Sequence, residues 1–477
     1  MGRHSKPSPT FGYNNVPMNS SMAPSSPAPW AERARIPFVS TSFAHNLVYY
    51  ALLWPVWWAL GIEQLLLPFF ALYELFRFLI RADWRVQLNS TAVIAILLAI
   101  WWLVPIFWVD RDFLDIYLKE TATIWSQAII LILIYNCIKT RREWWLIVRA
   151  LTILAVYMAI AGFIYLSGLW RGSFTSGIGF VLPQSLIDGS AFFSSIAIRT
   201  FGSQSDEVGL FVIRLRGLSL EFSSLSMVCL LLIPLIHWRM ILSRGVARIL
   251  FAGVALGLFA CLLFTESRIS YVAFVAAIPL YVVLRWGLLR GHNRPLIIAL
   301  MLAAMGAAVL LGYIAHGLIF DTLEATFVDL RPSSWLVRFN IYVVTLQLLP
   351  DHLIAGWGVP VRIPGGGSIY AAGTHSSYLG TLFQHGIVGL GLYLGLWISI
   401  WQAVIRGLRR PAGRELGSFW IALAVAFLAF NIREIADAWW WDQSLTFVVW
   451  VMWGAALVAN RCFAADDPGT WGGLSVR

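Results

Sequence analysis

The sequence predicts an all-α polytopic membrane protein with about twelve transmembrane helices. Hydrophobic residues make up 59% of the 477 positions and charged residues only 12%, whereas soluble domains carry about 25% charged residues. Long apolar runs follow one another from His45 to Asn460, with no polar block of domain size between them. The 25 Trp and 15 Tyr residues are typical of side chains that collect at the two headgroup levels of a bilayer.

Each predicted helix is an apolar run, because about 20 apolar residues span the hydrocarbon and a helix satisfies its own backbone hydrogen bonds there. The runs lie near residues 44–61, 64–80, 91–109, 121–138, 146–168, 222–238, 248–265, 269–286, 296–316, 375–404, 418–432 and 444–460.

Positive charge predicts the orientation of these helices, because cytoplasmic loops carry an excess of Lys and Arg. Such clusters recur in every second connection, namely Arg77, Arg81 and Arg85; Lys139, Arg141 and Arg142; Arg239, Arg244 and Arg248; Arg285, Arg290 and Arg294; and Arg406, Arg409, Arg410 and Arg414. Both termini are therefore expected in the cytoplasm. A pI near 9.7 then reflects topology, and no nucleic-acid partner is predicted.

Residues 1–42 are rich in Ser, Pro and Asn and predict a disordered cytoplasmic tail. The first apolar run begins too late for a cleaved signal peptide, so we expect an uncleaved anchor. Residues 43–461 form one predicted transmembrane domain, and residues 462–477 form a cytoplasmic tail. Two outer connections are long, near 170–220 and, between helices nine and ten, 317–374, and long loops in compact proteins often carry function. The four cysteines predict neither a disulfide nor a clustered metal site.

Three residues on the predicted outer face need individual explanations. Arg268 ends the TESR motif in a short turn, although outward arginines are disfavoured by the positive-inside bias; a snorkelling side chain is the alternative. Arg338 lies in SSWLVRFN, where Ser333 or Ser334 is expected to cap an amphipathic surface helix, and it could simply occupy the polar face of that helix. His375 opens helix ten, where a lone histidine is more often structural.

These three residues map to one face of the membrane by a topology that was derived without them. Arginine offers a planar fork that matches phosphate oxygens, and imidazole can take a proton from a hydroxyl near neutral pH. The sequence therefore predicts an anion site beside a base. We expect both guanidinium groups and the imidazole ring to line one outward cavity within about 10 Å.

Further charged residues lie at the same predicted level. Glu221, Arg214 and Arg216 lie in RLRGLSLE before helix six, where they could join the site or form a local salt-bridge cluster. Glu266 is the expected ion-pair partner of Arg268.

The motifs TESR, LLPDHLIAGWG, THSSYL and HGIVGLGLYLG resemble the signature of the O-antigen ligase and polymerase superfamily. The resemblance covers residues 210–396, so the domain at 43–461 would be a transmembrane glycosyltransferase. It implies metal-independent, inverting glycosyl transfer without a cofactor, at the periplasmic face of a bacterial inner membrane. The implied donor is a glycan on undecaprenyl diphosphate.

By motif, Arg268 and Arg338 would bind the diphosphate and His375 would activate the acceptor hydroxyl. Glu221, Arg214, Arg216, Glu266, Ser376 and Tyr378 are expected to contact substrate. Ser376 departs from the pattern, because the family usually has Asn directly after the histidine. The DAWWWDQ stretch, residues 437–443, could stack on sugar rings, and headgroup anchoring explains it equally well.

The superfamily includes enzymes with different acceptors. LEFSSLS is similar to the Glu-Pro-Ser motif of exopolysaccharide polymerases, which favours polymerisation of lipid-linked repeat units, and other polysaccharide assembly proteins could then be partners. A ligase would instead transfer the glycan to a lipid A core. A lipid-linked sugar transporter and a noncatalytic scaffold remain open, although a transporter should carry ionisable residues mid-membrane, and here nearly all of them map to helix ends or loops.

Overall fold

The computed structural model describes residues 42–82, 84–110, 113–189, 191–207, 210–290, 332–363, 371–409, 414–437 and 443–464. Its α-helices are α1 Phe43–Leu52, α2 Trp54–Leu60, α3 Glu63–Arg81, α4 Ser90–Trp101, α5 Leu114–Cys137, α6 Arg141–Leu166, α7 Gln184–Gly189, α8 Ala191–Ala197, α9 Phe222–Leu242, α10 Gly245–Phe264, α11 Arg268–Arg290, α12 Pro332–Leu348, α13 Ser377–Arg409, α14 Arg414–Arg433 and α15 Gln443–Ala464.

Within these ranges, nine helical segments are long and apolar enough to cross a membrane. The prediction of an all-α polytopic membrane protein is therefore confirmed. The first predicted run is interrupted at Leu53, which separates α1 from α2. The second is α3, which buries Glu63, Glu74 and Arg77. The run at 296–316, residues 1–41 and residues 465–477 lie outside the described residues, whereas the first three residues of the predicted C-terminal tail belong to α15.

Local sequence signals explain several helix starts. The side chain of Thr140 accepts a hydrogen bond from the Glu143 amide at 3.2 Å, and the Glu143 carboxylate accepts one from the Thr140 amide at 3.1 Å. This reciprocal capping box starts α6. The predicted cap of the surface helix is wrong, because α12 begins at Pro332 and Ser333 and Ser334 therefore lie inside it. Proline suits a first helical position, where its missing N–H would lack an intrahelical partner anyway.

The helices pack in a bundle in which α9 has a central position. Helix α9 packs against α10 and α14, and α11 also packs against α14. Helix α15 packs against α5 and α6, and α13 packs against α4. Helix α10 exposes most of its side chains, whereas α9, α14 and α15 bury most of theirs. The candidate site lies where α9, α11 and α13 begin and where α14 ends.

Within the described residues, the long connections contain three two-stranded antiparallel sheets. Strand β1 (Ser173–Thr175) pairs with β2 (Ile198–Thr200), β3 (Gly202–Glu207) with β4 (Leu210–Leu215), and β5 (Val361–Arg362) with β6 (Ala371–Ala372). The β3–β4 hairpin leads directly into α9. The β5–β6 pair brings the chain back to the start of α13.

Helix α13 is kinked at Gly386, which has φ +67° and ψ −172°. The segment after α12 docks into this kink through backbone hydrogen bonds. The Trp357 amide donates to the Phe383 carbonyl at 2.9 Å, and the Ile387 amide donates to the Leu353 carbonyl at 2.9 Å. Because only glycine adopts this backbone conformation readily, Gly386 fixes how the connection between α12 and α13 meets α13.

We expect Gly386→Ala to destabilise the protein. A Cβ at this position would lie 2.0 Å from the carbonyl oxygen of Ile354, and the positive φ would strain any side chain. Strain of this kind costs about 1–3 kcal/mol before the overlap is counted. The measurement is the thermal unfolding temperature of the purified protein in detergent.

Gly391→Ala is the matched control, because it lies in the same helix and a Cβ there would meet nothing within 4 Å. It should be neutral or stabilising by up to about 1 kcal/mol. Equal unfolding temperatures for the two variants would contradict the role of the kink.

Candidate functional site

The TESR turn holds Arg268 at the first position of α11. Glu266 in this turn has φ +52°, which is uncommon for a residue with a side chain. The Thr265 hydroxyl donates to the Leu262 carbonyl at 2.7 Å, and the Ser267 amide donates to the Thr265 hydroxyl at 3.4 Å. The short turn that the sequence predicted is therefore braced by the Thr265 side chain, and it fixes where Arg268 enters α11.

Helix α12 contacts both the turn that follows α14 and the loop that precedes α13. The guanidinium Nη1 of Arg338 donates to the Ala436 carbonyl at 3.3 Å. One turn later, the Tyr342 hydroxyl donates to the His375 carbonyl at 2.8 Å. Helix α12 thus contacts the backbone of His375 through Tyr342, and its Arg338 lies close enough to act electrostatically on the His375 imidazole.

His375 has φ +61° and is half-buried. Strained backbone of this type persists only where the surroundings hold it. Burial lowers the pKa of the His375 imidazole, and the Arg338 guanidinium lowers it further, while the Asp437 carboxylate acts in the opposite direction. The net shift keeps the ring neutral at neutral pH, which is the form that can accept a proton.

Ser376 and Tyr378 have structural partners. The Ser376 hydroxyl accepts a hydrogen bond from the Leu379 amide at 3.3 Å, so it caps the start of α13 as an asparagine would. The Tyr378 hydroxyl donates to the Asn431 side-chain oxygen at 2.9 Å. These contacts join the start of α13 to the end of α14.

The residues before α9 lie at the end of the β3–β4 hairpin. Glu221 directly precedes α9, where a carboxylate interacts favourably with the helix dipole. The guanidinium of Arg214 lies 5.0 Å from the centroid of the Phe222 ring. The Arg216 amide donates to the Phe201 carbonyl at 2.7 Å. The hairpin therefore sets both arginines beside the start of α9.

Arg433 and Glu434, which the sequence motifs did not single out, are both fully buried at the end of α14. Arg433 forms an ion pair with Glu434 and a second one, of 2.9 Å, with Asp437. The Ser377 hydroxyl donates to the other Glu434 oxygen. Burial raises the pKa of the Glu434 carboxyl. The Arg433 guanidinium and the hydrogen bond from Ser377 act in the opposite direction, because both favour the charged form.

A charged NIREIAD segment directly after an apolar membrane run was the signal that could have revealed this cluster. By sequence, these residues map only to a helix end, and Asp437 stands out only as part of DAWWWDQ. Asp437 bonds Arg433 in the structure, and residues 438–442 lie outside the described ranges.

A chain of hydrogen bonds runs from the arginine cluster to the TESR turn. Arg433 Nη2 donates to the Ser223 carbonyl at 2.8 Å, and its Nε donates to the Ser226 hydroxyl at 3.4 Å. The Ser270 hydroxyl donates to Ser226 at 2.9 Å and lies 2.7 Å from the Ser267 hydroxyl. The motifs that carry Arg268, Arg338, His375 and Glu221 are therefore connected through one buried polar network.

The comparison with known proteins bears on the family resemblance of the sequence. Residues 252–394 match the O-antigen ligase family, and this stretch contains Arg268, Arg338 and His375. The resemblance to the O-antigen ligase and polymerase superfamily is confirmed.

One curated relative is the O-antigen ligase of Pseudomonas aeruginosa, which is 31% identical over 200 residues. The matched part is 40% of this chain and 45% of that protein, so the chain spans less than half of the length of this relative. The family match covers α11, α12 and the first half of α13, and it ends before Arg433 and Glu434.

We expect the pKa of His375 to lie below its ordinary value near 6.5. Arg338→Gln should raise this pKa, because it removes a neighbouring cation, and Asp437→Asn should lower it, because it removes a neighbouring anion. The measurement is the rate of diethyl pyrocarbonate modification of the His375 peptide as a function of pH, read by mass spectrometry.

Arg362→Gln is the control for loss of a positive charge in the connection between α12 and α13. Its guanidinium lies 5.9 Å from the Phe113 ring centroid and is not among the charges acting on His375. A titration midpoint that moves equally in the Arg338 and Arg362 variants would contradict the proposed geometry.

Proposed function

We propose that this protein polymerises undecaprenyl-diphosphate-linked repeat units into a surface polysaccharide at the periplasmic face of the bacterial inner membrane. The observation that carries the proposal is the half-buried position of His375 within electrostatic reach of the Arg338 guanidinium. A base and a cation at one place are what transfer from a diphosphate carrier to a hydroxyl requires.

The reaction is a single displacement. His375 takes the proton of the acceptor hydroxyl as its oxygen forms a bond to the anomeric carbon. The bond from that carbon to the diphosphate oxygen breaks, and the diphosphate leaves with the electron pair. Arg268 and Arg338 stabilise the negative charge that develops on it, and attack opposite to the leaving group inverts the anomeric centre.

The acidic and basic residues before α9 extend the site toward the substrate. Glu221 positions an acceptor sugar hydroxyl, and Arg214 and Arg216 contribute positive charge near the donor phosphates. Glu266 orients Arg268 within the TESR turn. Ser376 and Tyr378 shape the His375 loop through their contacts with α13 and α14. No cofactor or metal takes part in these steps.

Ligation to a lipid A core is the second candidate. The name of the Pseudomonas aeruginosa relative favours it, whereas the LEFSSLS motif favours polymerisation. Both reactions use the same donor and the same chemistry at the anomeric carbon, so the acceptor alone separates them.

The deciding assay supplies the purified protein with undecaprenyl-diphosphate-linked repeat units and resolves the products by size. We expect a ladder of polymers without lipid A, and the same ladder in the presence of EDTA. A product that appears only after a lipid A core is added would identify a ligase. No product with either acceptor would contradict both enzymatic proposals.

His375→Ala should lower the turnover of this assay by about 10²–10⁴-fold, because a general base supplies that much. Arg268→Gln and Arg338→Gln should each cost about 10²–10³-fold through lost charge stabilisation. His45→Ala and Arg362→Gln serve as controls for removing a histidine or an arginine, because the described side-chain contacts of these residues are with Ser42 and Phe113 and not with the site residues. Full activity in His375→Ala would rule out this residue as the base.

A further inference from the structure

Arg433 has no exposed surface, so all of its charge must be compensated inside the protein. It bonds Glu434, Asp437, the Ser223 carbonyl and the Ser226 hydroxyl. These partners involve all three nitrogens of the guanidinium fork. Breaking a buried pair of this kind leaves an uncompensated charge and is strongly destabilising, whereas well-packed apolar residues in its place would often be as stable. Stability alone therefore does not account for an ion pair at this position.

The same turn also holds the loop of His375. The Ser377 amide donates to the carbonyls of Glu434, at 2.9 Å, and of Asp437, at 3.1 Å, while its hydroxyl donates to the Glu434 carboxylate. Ser377 is two residues from His375 and begins α13. These three hydrogen bonds hold the backbone that follows the strained residue His375 against the end of α14.

The turn holds Arg338 in addition, because the Ala436 carbonyl accepts its Nη1 at 3.3 Å. Arg433 also donates to the Ser223 carbonyl in the first turn of α9 and to the Ser226 hydroxyl on the same helix. The Ser226 hydroxyl in turn accepts a hydrogen bond from Ser270 on α11. Residues 433–437 are therefore bonded directly to α9, α12 and the start of α13, and they are linked to α11 through the hydrogen bond between Ser226 and Ser270.

We propose that Arg433 and Glu434 are positioning residues, which set the His375 loop against Arg338 and against the starts of α9 and α11. The expected effect of this pair on turnover rests on the proposed glycosyl transfer. Neither side chain is exposed, so neither touches substrate, and both act through Ser377, Ser226 and the backbone of the turn.

A second buried ion pair provides a matched control. Arg199 Nη2 lies 2.7 Å from both carboxylate oxygens of Glu63, and the two side chains are 2% and 1% exposed. This pair joins β2 to the start of α3, and its described contacts do not include the site residues. Glu63→Gln therefore tests what the loss of a buried carboxylate does by itself.

The experiment compares Arg433→Lys, Glu434→Gln, Ser377→Ala and Glu63→Gln in full-length protein. Lysine keeps the charge of Arg433 without its planar fork, and glutamine keeps the volume of Glu434 without its charge. The first readout is diethyl pyrocarbonate modification of His375 against pH, which requires no substrate. We expect faster labelling and a midpoint closer to about 6.5 in Arg433→Lys and Glu434→Gln, and the wild-type profile in Glu63→Gln.

The second readout is turnover of the lipid-linked donor, with the amount of folded protein measured by thermal unfolding. Misplacement of a reacting group by about 1 Å can cost roughly 100-fold, so we expect kcat to fall about 10- to 100-fold in Arg433→Lys and Glu434→Gln with little change in KM. Ser377→Ala should give a smaller loss that does not add to that of Glu434→Gln, because both variants remove the same contact.

An unchanged His375 labelling profile in both Arg433→Lys and Glu434→Gln would overturn the inference, whatever the protein's activity. The inference is equally overturned if Glu63→Gln alters the profile as strongly as they do. Absence of product from the wild-type protein would instead contradict the proposed function, while the labelling profiles would still decide whether the pair positions His375.

Discussion

The guanidinium of Arg433 has no access to solvent, so its charge must be balanced by the protein itself. Glu434 and Asp437 supply the balancing carboxylates, and the remaining donors reach Ser223 and Ser226 on α9. A buried charge is tolerated only when its partners are held in place. The position of α14 relative to α9 is therefore constrained at this point, and the turn that follows α14 is constrained with it.

That constraint reaches the reactive groups through backbone contacts. Ser377 donates to two carbonyls of the turn, and Arg338 donates to a third. His375 lies two residues before Ser377, and its own carbonyl accepts a hydrogen bond from Tyr342. An imidazole in a sparsely populated backbone conformation is thereby kept within electrostatic reach of a permanent cation, which favours its neutral form.

A second constraint acts on the opposite side of the same loop. The kink at Gly386 admits the segment that follows α12, because a carbonyl occupies the space of a side chain. In this segment the His352 ring packs at a tilt against Trp357, and the Trp357 ring stacks on Phe383 of α13. Phe383 in turn packs against Gly373, two residues before His375. Helix α12 is thus held at its carboxyl end, which helps to place Arg338 and Tyr342.

The sequence by itself determined the membrane class, most of the helices and three central residues of the candidate site. Apolar runs specify helices because a bilayer forces each segment to satisfy its own backbone hydrogen bonds. Arg268, Arg338 and His375 were found because topology and short motifs are local signals. The tertiary structure decided the rest. The bond between Ser226 and Arg433 joins residues 207 positions apart, and no local pattern encodes such a partner. The kink at Gly386 likewise depends on a distant segment, because the Ile354 carbonyl occupies the space of a side chain there, and periodicity does not record such a contact.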